Sequence, residues 1–437
     1  MRLTSLPIGL VLLVATASPS SASLVPRAIH KIHGAAVRHT KSLARDLRVA
    51  FGGVLVAQPN TQSTHAVYCK QGKSGTFPVG GNIGGSGNNT DSVSSSRASG
   101  SSSRAPGSTT RTSSGTKTST GAKPTDTASA SSPWKLTQSH EGNSFYDGWD
   151  FFTGSDPTHG IVQFLDQNAA RANGLLDVNG AGNAIMRVET TPNVANTRKS
   201  VRITTQSSFN GGLITMDAVH MPTGCGVWPA FWTNGPNWPS GGEIDIVEGV
   251  HDYTHNQATI HTDGGCRLST NNLQISGTVI GGTNCAALTT GNQGCGIRAP
   301  TSNSFGAGFN ANGGGTYAMQ WDSSGIAVYF FPRGSQPADI TAEVPRPETW
   351  GAAQARWPAD GCDPFKFFNN HHAIFDTTLC GDWAGGVWNS AGIPGQEESC
   401  AQRTGFSTCD AFVRANGASM SEAYWEVKSV KIYQFKG

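Results

Sequence analysis

Gly241-Gly242-Glu243-Ile244-Asp245-Ile246-Val247-Glu248-Gly249 carries three carboxylates within six residues, spaced by β-branched apolar side chains. On a helix, Glu243 and Asp245 would point to nearly opposite sides. On a strand they share a face, and Ile and Val favour the pleated surface. Ile244 then points the other way, into a core. Glu248 has the parity of Ile244 and would be driven into that core as a charge. One extra residue near Ile246-Val247, a β-bulge, returns it to the face of Glu243 and Asp245. The expectation is a line of three acids on one face of a strand whose other face is buried. The plainer alternative is a solvated strand face. Such faces interleave acids with Thr, Lys or Arg, and none occurs from Gly241 to Gly249.

Outward from this stretch, the chain divides sharply. Residues 1–133 hold 14 Lys+Arg against 3 Asp+Glu. Residues 134–437 hold 17 against 26, with all eleven Trp and eight of the nine Cys. The total of +2 therefore conceals a basic leader and an acidic domain. An acidic domain repels nucleic acid, so no nucleic-acid partner is expected, whereas a neutral polysaccharide is acceptable.

Met1-Arg2, the apolar run Leu6 to Val14 and the small residues after it read as a secretory signal over 1–22. That run is shorter than the ~20 apolar residues of a spanning helix, and no later stretch is apolar enough to cross a bilayer. Residues 23–70 are a basic extension with a helical pattern through Leu43, Leu47 and Val49. It reads as a processed or poorly ordered leader in preference to a membrane-surface helix. Cys69 is the odd cysteine, free or cross-linked to another chain. Residues 71–133 are rich in Ser, Thr and Gly and bury too little apolar surface to offset chain entropy. A disordered linker is expected there, with the sequon Asn88-Asn89-Thr90 and O-glycosylated hydroxyls.

From Trp134 onward, short apolar or alternating runs recur between Gly, Asn and Pro clusters. They are Ile161–Phe164, Ala184–Glu189, Val201–Thr205, Gly212–Ala218, Glu243–Val247, Tyr317–Trp321, Ile326–Phe331 and Tyr424–Tyr433. No long stretch has helical period, so the pattern predicts an all-β sandwich or barrel. Tyr317–Trp321 and Ile326–Phe331 form a hairpin turned at Asp322-Ser323-Ser324-Gly325. The eight cysteines of this region suit disulfides in a secreted chain. Cys285 with Cys295 and Cys400 with Cys409 are attractive local pairs, although spacing does not settle connectivity. No Cys-x-x-Cys occurs, and His30, His33, His39 and His65 of the basic extension lack the spacing of a metal site.

The carboxylate stretch resembles the active-site strand of glycoside hydrolase family 16, in the branch whose motif reads E-x-D-x-x-E. Trp228-Pro229-Ala230-Phe231-Trp232 before it and His261-Thr262 with Cys266 after it agree, and the resemblance covers residues 140–437. It implies an all-β jelly-roll sandwich of two curved antiparallel sheets, with a concave substrate cleft, as the catalytic domain of residues 134–437. It implies Glu243 as nucleophile, Glu248 as general acid/base, Asp245 between them, and His261 near the acid/base. Trp228, Trp232, Trp238 and Trp383 become sugar platforms, because pyranose C–H faces stack on large aromatic rings. Strand alternation leaves one or two of the four for the core. Arg198 resembles a family arginine that hydrogen-bonds sugar hydroxyls. Asn310 and Asn312 line the cleft or serve as simple turn residues.

The implied activity is that of a secreted endo-β-1,3(4)-glucanase acting with retention, as a monomer. That mechanism places its two carboxyls ~5–5.5 Å apart and requires no metal or organic cofactor. Two rivals stand beside it. A cell-wall transglycosylase uses the same covalent intermediate with a sugar hydroxyl as acceptor. A non-catalytic lectin on the same sandwich would be expected to have lost an acid, and this chain retains all three.

Overall fold

The computed structural model describes residues 132–436. The signal segment, the basic extension with Cys69, and the linker as far as residue 131 with its sequon lie outside the described residues.

Among the described residues the architecture is two eight-stranded sheets, with a two-stranded parallel pair of Val162–Phe164 and Arg198–Ser200 beside them. The first runs in the order Ala355–Pro358, Gly325–Pro332, Gly315–Asp322, Gly212–His220, Tyr424–Phe435, Ala184–Arg187 and Leu176–Val178, with Trp134–Glu141 added onto Tyr424–Phe435. The second runs Thr278–Ile280, Cys295–Arg298, Gln257–His261, Glu243–Glu248, Val227–Asn234, His372–Leu379, Arg202–Thr205 and Trp149–Phe151. Every pairing inside both sheets is antiparallel. The alternation of the sequence pointed to an all-β sandwich or barrel, and the family resemblance implied a jelly roll of two antiparallel sheets, which is the fold found.

Alternation also builds the core. Ile203, Phe231, Ile244, Ile260 and Phe375 from the second sheet share one buried cluster with Ile214, Met216, Met319, Trp321 and Ile432 from the first. With side chains of period two, the other face of the second sheet is left for function. The hairpin forms as expected: Trp321 pairs with Ile326 and Asp322 with Gly325 across the two-residue loop Ser323-Ser324. Among the described residues the longest α-helix is Cys409–Ala415, and no helix is long and apolar enough to cross a membrane.

Among the described residues four disulfides join Cys225 to Cys400, Cys266 to Cys362, Cys285 to Cys295, and Cys380 to Cys409. The local pair Cys285–Cys295 is present. The pair Cys400–Cys409 is not, because each of these cysteines opens a separate short helix and meets a strand-end partner instead. Both bridges enclose a second apolar cluster with Val227, Leu379, Trp388 and Phe412, which seats the 380–420 segment on the end of the sheet.

Candidate active site

The register of the Glu243–Glu248 strand decides what its acids do. Glu243, Ile244 and Asp245 lie opposite Asn234, Thr233 and Trp232. The register then slips, and Val247 and Glu248 lie opposite Phe231 and Ala230. Ile246 is the extra residue, and the bulge required by parity is present. Ile244, Ile246 and Val247 have no exposed surface. Asp245 is 3% exposed, while Glu243 and Glu248 remain half-buried at the surface of the cleft.

On the neighbouring strand His261 stands opposite Glu243, and Thr259 opposite Asp245. His261 Nε2 lies 3.3 Å from Asp245 Oδ2. One ligand-type atom from each of Glu243, Asp245 and His261 fits within 4.8 Å of the others. Such a trio could hold a divalent cation, but protonation relieves the same crowding. Burial pushes Glu243 up to about 8, helped by Asp245 and opposed by His261, Trp238 and Arg202. Burial likewise raises Asp245, helped by Asp376 and opposed by a hydrogen bond with Glu243. Glu248 rises well above the usual carboxylate range, through burial and then Asp245, with His261 and Trp228 opposing. Poorly hydrated carboxyls this close titrate as a group and retain protons near neutral pH.

The tryptophans divide by what their indoles touch. Trp228 Nε1 donates to Glu248 Oε1 at 3.0 Å, and its ring meets Trp383 edge-on at 5.7 Å. Trp232 Nε1 donates to Asp376 Oδ1 at 2.8 Å. Trp238 is 41% exposed on the loop before the carboxylate strand. None of the four is fully buried, but Trp228 and Trp383 pack against the main core cluster. Trp321, Trp357, Trp388 and Trp425 fill the interior instead.

Three expected cleft residues have other work. Arg198 is fully buried, and its guanidinium donates to the carbonyls of Val413, Glu189, Thr191 and Arg414. No donor is left for a sugar. Asn310 accepts from Met221 N–H, donates to Met221 O, and lies 2.9 Å from His220 Nε2. Asn312 caps a short helix and donates to Gly314 O, a turn role.

Sequence reasoning missed two members of the site. Asp376 pairs with Ala230 on one side and Arg202 on the other, so all three share the cleft face. Burial raises Asp376 to about 6, with Arg202 and the Trp232 indole opposing. The Arg202 guanidinium lies 5.0 Å from the Trp232 ring and 4.8 Å from that of Phe152, and its Nε has no hydrogen-bond partner among the described residues. This arginine, four residues beyond Arg198, is the cation of the cleft. The alternation of Arg202–Thr205 and His372–Leu379 was the available signal. His371 is buried between Thr233 Oγ1 and Gly241 O and held down to about 4 by burial, so it anchors the loop entering the carboxylate strand.

A family model described as an XgeA-like catalytic GH16 domain matches residues 149–433. A probable glycosidase of Schizosaccharomyces pombe is 42% identical over 305 residues, covering 69% of this chain and 70% of its own. A probable endo-1,3(4)-β-glucanase of Aspergillus niger is 40% identical over 310 residues, 70% of this chain but 41% of the relative. The chain thus spans less than half of that longer protein. Laminarinase 16A of Phanerochaete chrysosporium, solved with β-glucans in donor and acceptor sites, has a TM-score of 0.63 at 37% identity, covering 69% of this chain and 99% of that one. An elongating family 16 β-1,3-glucosyltransferase has a TM-score of 0.62 at 36% identity, covering 69% and 100%.

Proposed function

The chain belongs to glycoside hydrolase family 16, and from that premise we propose that it is a secreted endo-β-1,3(4)-glucanase that cuts β-1,3- or mixed β-1,3/1,4-glucan with retention. The observation that carries this reading is the bulge at Ile246, which leaves Glu243 and Glu248 on one face of one strand. In the form that reacts, Glu243 is ionised and Glu248 protonated: Glu248 protonates the glycosidic oxygen while the Glu243 carboxylate attacks the anomeric carbon, the bond to the leaving oxygen breaks, and a glycosyl-enzyme forms. Glu248 then takes a proton from water as water displaces Glu243. Asp245, two residues from Glu243 on the same face and 3.3 Å from His261 Nε2, keeps the charge of the group balanced as it passes between the two glutamates. The indoles of Trp228, Trp232, Trp238 and Trp383 offer stacking surface to the sugar rings.

The names of the relatives support the linkage class. The four disulfides support an oxidising compartment, in keeping with the signal-like leader. A neutral glucan suits the acidic domain. Transfer to a sugar hydroxyl is the second reading, favoured by the similarity to the elongating glucosyltransferase.

Laminarin, lichenan and xyloglucan incubated with the secreted protein, with the products sized, test both. Shorter chains from the first two glucans are expected. Chains longer than a defined starting oligosaccharide would select transfer, and no cleavage of either glucan would sink the proposal. Glu243→Gln and Glu248→Gln should each lower kcat by about 10²–10⁴-fold while leaving the thermal transition cooperative. Near-normal turnover in either variant would remove the assignment.

A further inference from the structure

We infer that Asn256 is a positioning residue: its side-chain amide replaces the strand that the bulge loses, and so sets the backbone of Glu248. The inference rests on the reading of Glu248 as acid/base.

Toward Gln257–His261 the ladder pairs Glu243, Ile244 and Asp245, and goes no further. The bulge that follows shifts the register against Val227–Asn234, the ladder toward Gln257–His261 stops at Asp245, and the buried groups beyond need other partners. Asn256 immediately precedes the neighbouring strand and has no exposed surface. Its Oδ1 accepts from the Glu248 N–H at 3.0 Å, and its Nδ2 donates to the Ile246 carbonyl at 2.9 Å. A carboxamide presents an acceptor and a donor side by side, as a peptide group does. One side chain thereby supplies both bonds on either side of Val247. The amide orientation follows from its partners, since a backbone N–H needs the oxygen and a carbonyl needs the nitrogen.

Asn256 is itself fastened. Its N–H donates to Ser304 Oγ at 3.0 Å, and its carbonyl accepts from Ala299 N–H at 2.8 Å. Ser304 Oγ donates in turn to the Thr301 carbonyl at 2.6 Å, and the Tyr317 hydroxyl donates to the Ser304 carbonyl. Glu248 is therefore held twice, through its backbone by Asn256 and through its carboxyl by the Trp228 indole. A carboxyl that must reach the leaving oxygen tolerates little drift, so loss of the first hold should misplace the proton.

The test uses the full chain and two aryl β-laminaribiosides that differ only in the leaving group. A 2,4-dinitrophenolate departs without a proton, whereas a 4-methoxyphenolate needs one. Asn256→Ala should lower kcat/KM on the methoxyphenyl glycoside by about 10²-fold, the scale of general-acid catalysis, and on the dinitrophenyl glycoside by only a few-fold. In Asn256→Asp, a protonated carboxyl restores one donor and one acceptor, whereas a carboxylate cannot donate to Ile246. The methoxyphenyl-to-dinitrophenyl ratio of that variant should recover toward wild type as pH falls. If Asn256→Ala does not fold, the Asn256→Asp ratio decides alone. Equal losses on both glycosides, with no recovery in acid, would overturn the positioning role. A wild-type protein inactive on both would overturn the functional reading itself.

Discussion

The bond from Trp228 Nε1 to Glu248 Oε1 shows how single contacts tune this site. A donor aimed at a carboxylate favours its charged form, and this one lowers the pKa of Glu248 against the stronger effect of burial. Trp228→Phe keeps an aromatic face and removes the donor, so Glu248 should stay protonated to higher pH. A general acid works only while protonated. The basic limb of the kcat/KM profile on an unactivated glucan should therefore move to higher pH. A limb that stays in place would mean that Glu248 does not set it. Arg198 and Arg202 give the complementary lesson. They lie four positions apart, one buried against backbone carbonyls and the other over the Trp232 ring in the cleft. Residue type was legible at both positions, but destination depended on which carbonyls the 380–420 segment brought alongside.

At the scale of the element, the Glu243–Glu248 strand combines an ordinary ladder with one irregularity. Its parity made the irregularity predictable, because Glu248 as a core residue would bury an uncompensated charge. Deleting Ile246 should restore plain alternation and leave Glu243, Asp245 and Glu248 on the same face. The cost is the burial of one Ile side chain, about 1.5–3 kcal/mol of stability. The deletion variant should fold, melt earlier, and hydrolyse glucan faster than Glu248→Gln does. Turnover no better than Glu248→Gln in a folded protein would mean that the bulge geometry itself is required for the chemistry. Asn256 gave no sign of its function beforehand. It sits outside any alternating run, and its meaning appears only when the two rungs that it completes are seen.

For the whole molecule, the acid cluster sets a relation between pH and stability. Glu243 rises from its ordinary 4.5 to about 8 and Asp376 from 3.8 to about 6, in both cases chiefly through burial. Folded protein thus binds more protons than unfolded chain between those values. The contribution of Glu243 and Asp376 to stability is complete only below their unfolded values of 4.5 and 3.8 and is lost as pH rises through about 6 and then about 8. Glu243→Gln removes one of these groups and should raise Tm at pH 8 by about 2 °C, the lower end of the shift that roughly 1 kcal/mol produces, because the domain is large. At pH 4, where Glu243 is protonated in both states, the variant should melt close to wild type. An equal or larger gain at pH 4 would place the effect in packing, outside the titration of the cluster. Activity and stability are thereby opposed within one group of side chains.

Local order alone determined a good deal. Alternation with period two made the chain all-β, parity demanded a bulge, and the Asp322–Gly325 turn defined a hairpin, because each of these depends only on neighbours along the backbone. The tertiary structure decided the rest. It chose Cys225 and Cys380 as partners for Cys400 and Cys409. It turned Arg198 inward and Arg202 outward, brought Asp376 under Trp232, and placed Asn256 against the bulge. These contacts join residues far apart in the chain, and their energies depend on which surfaces the two sheets bring together after they pack.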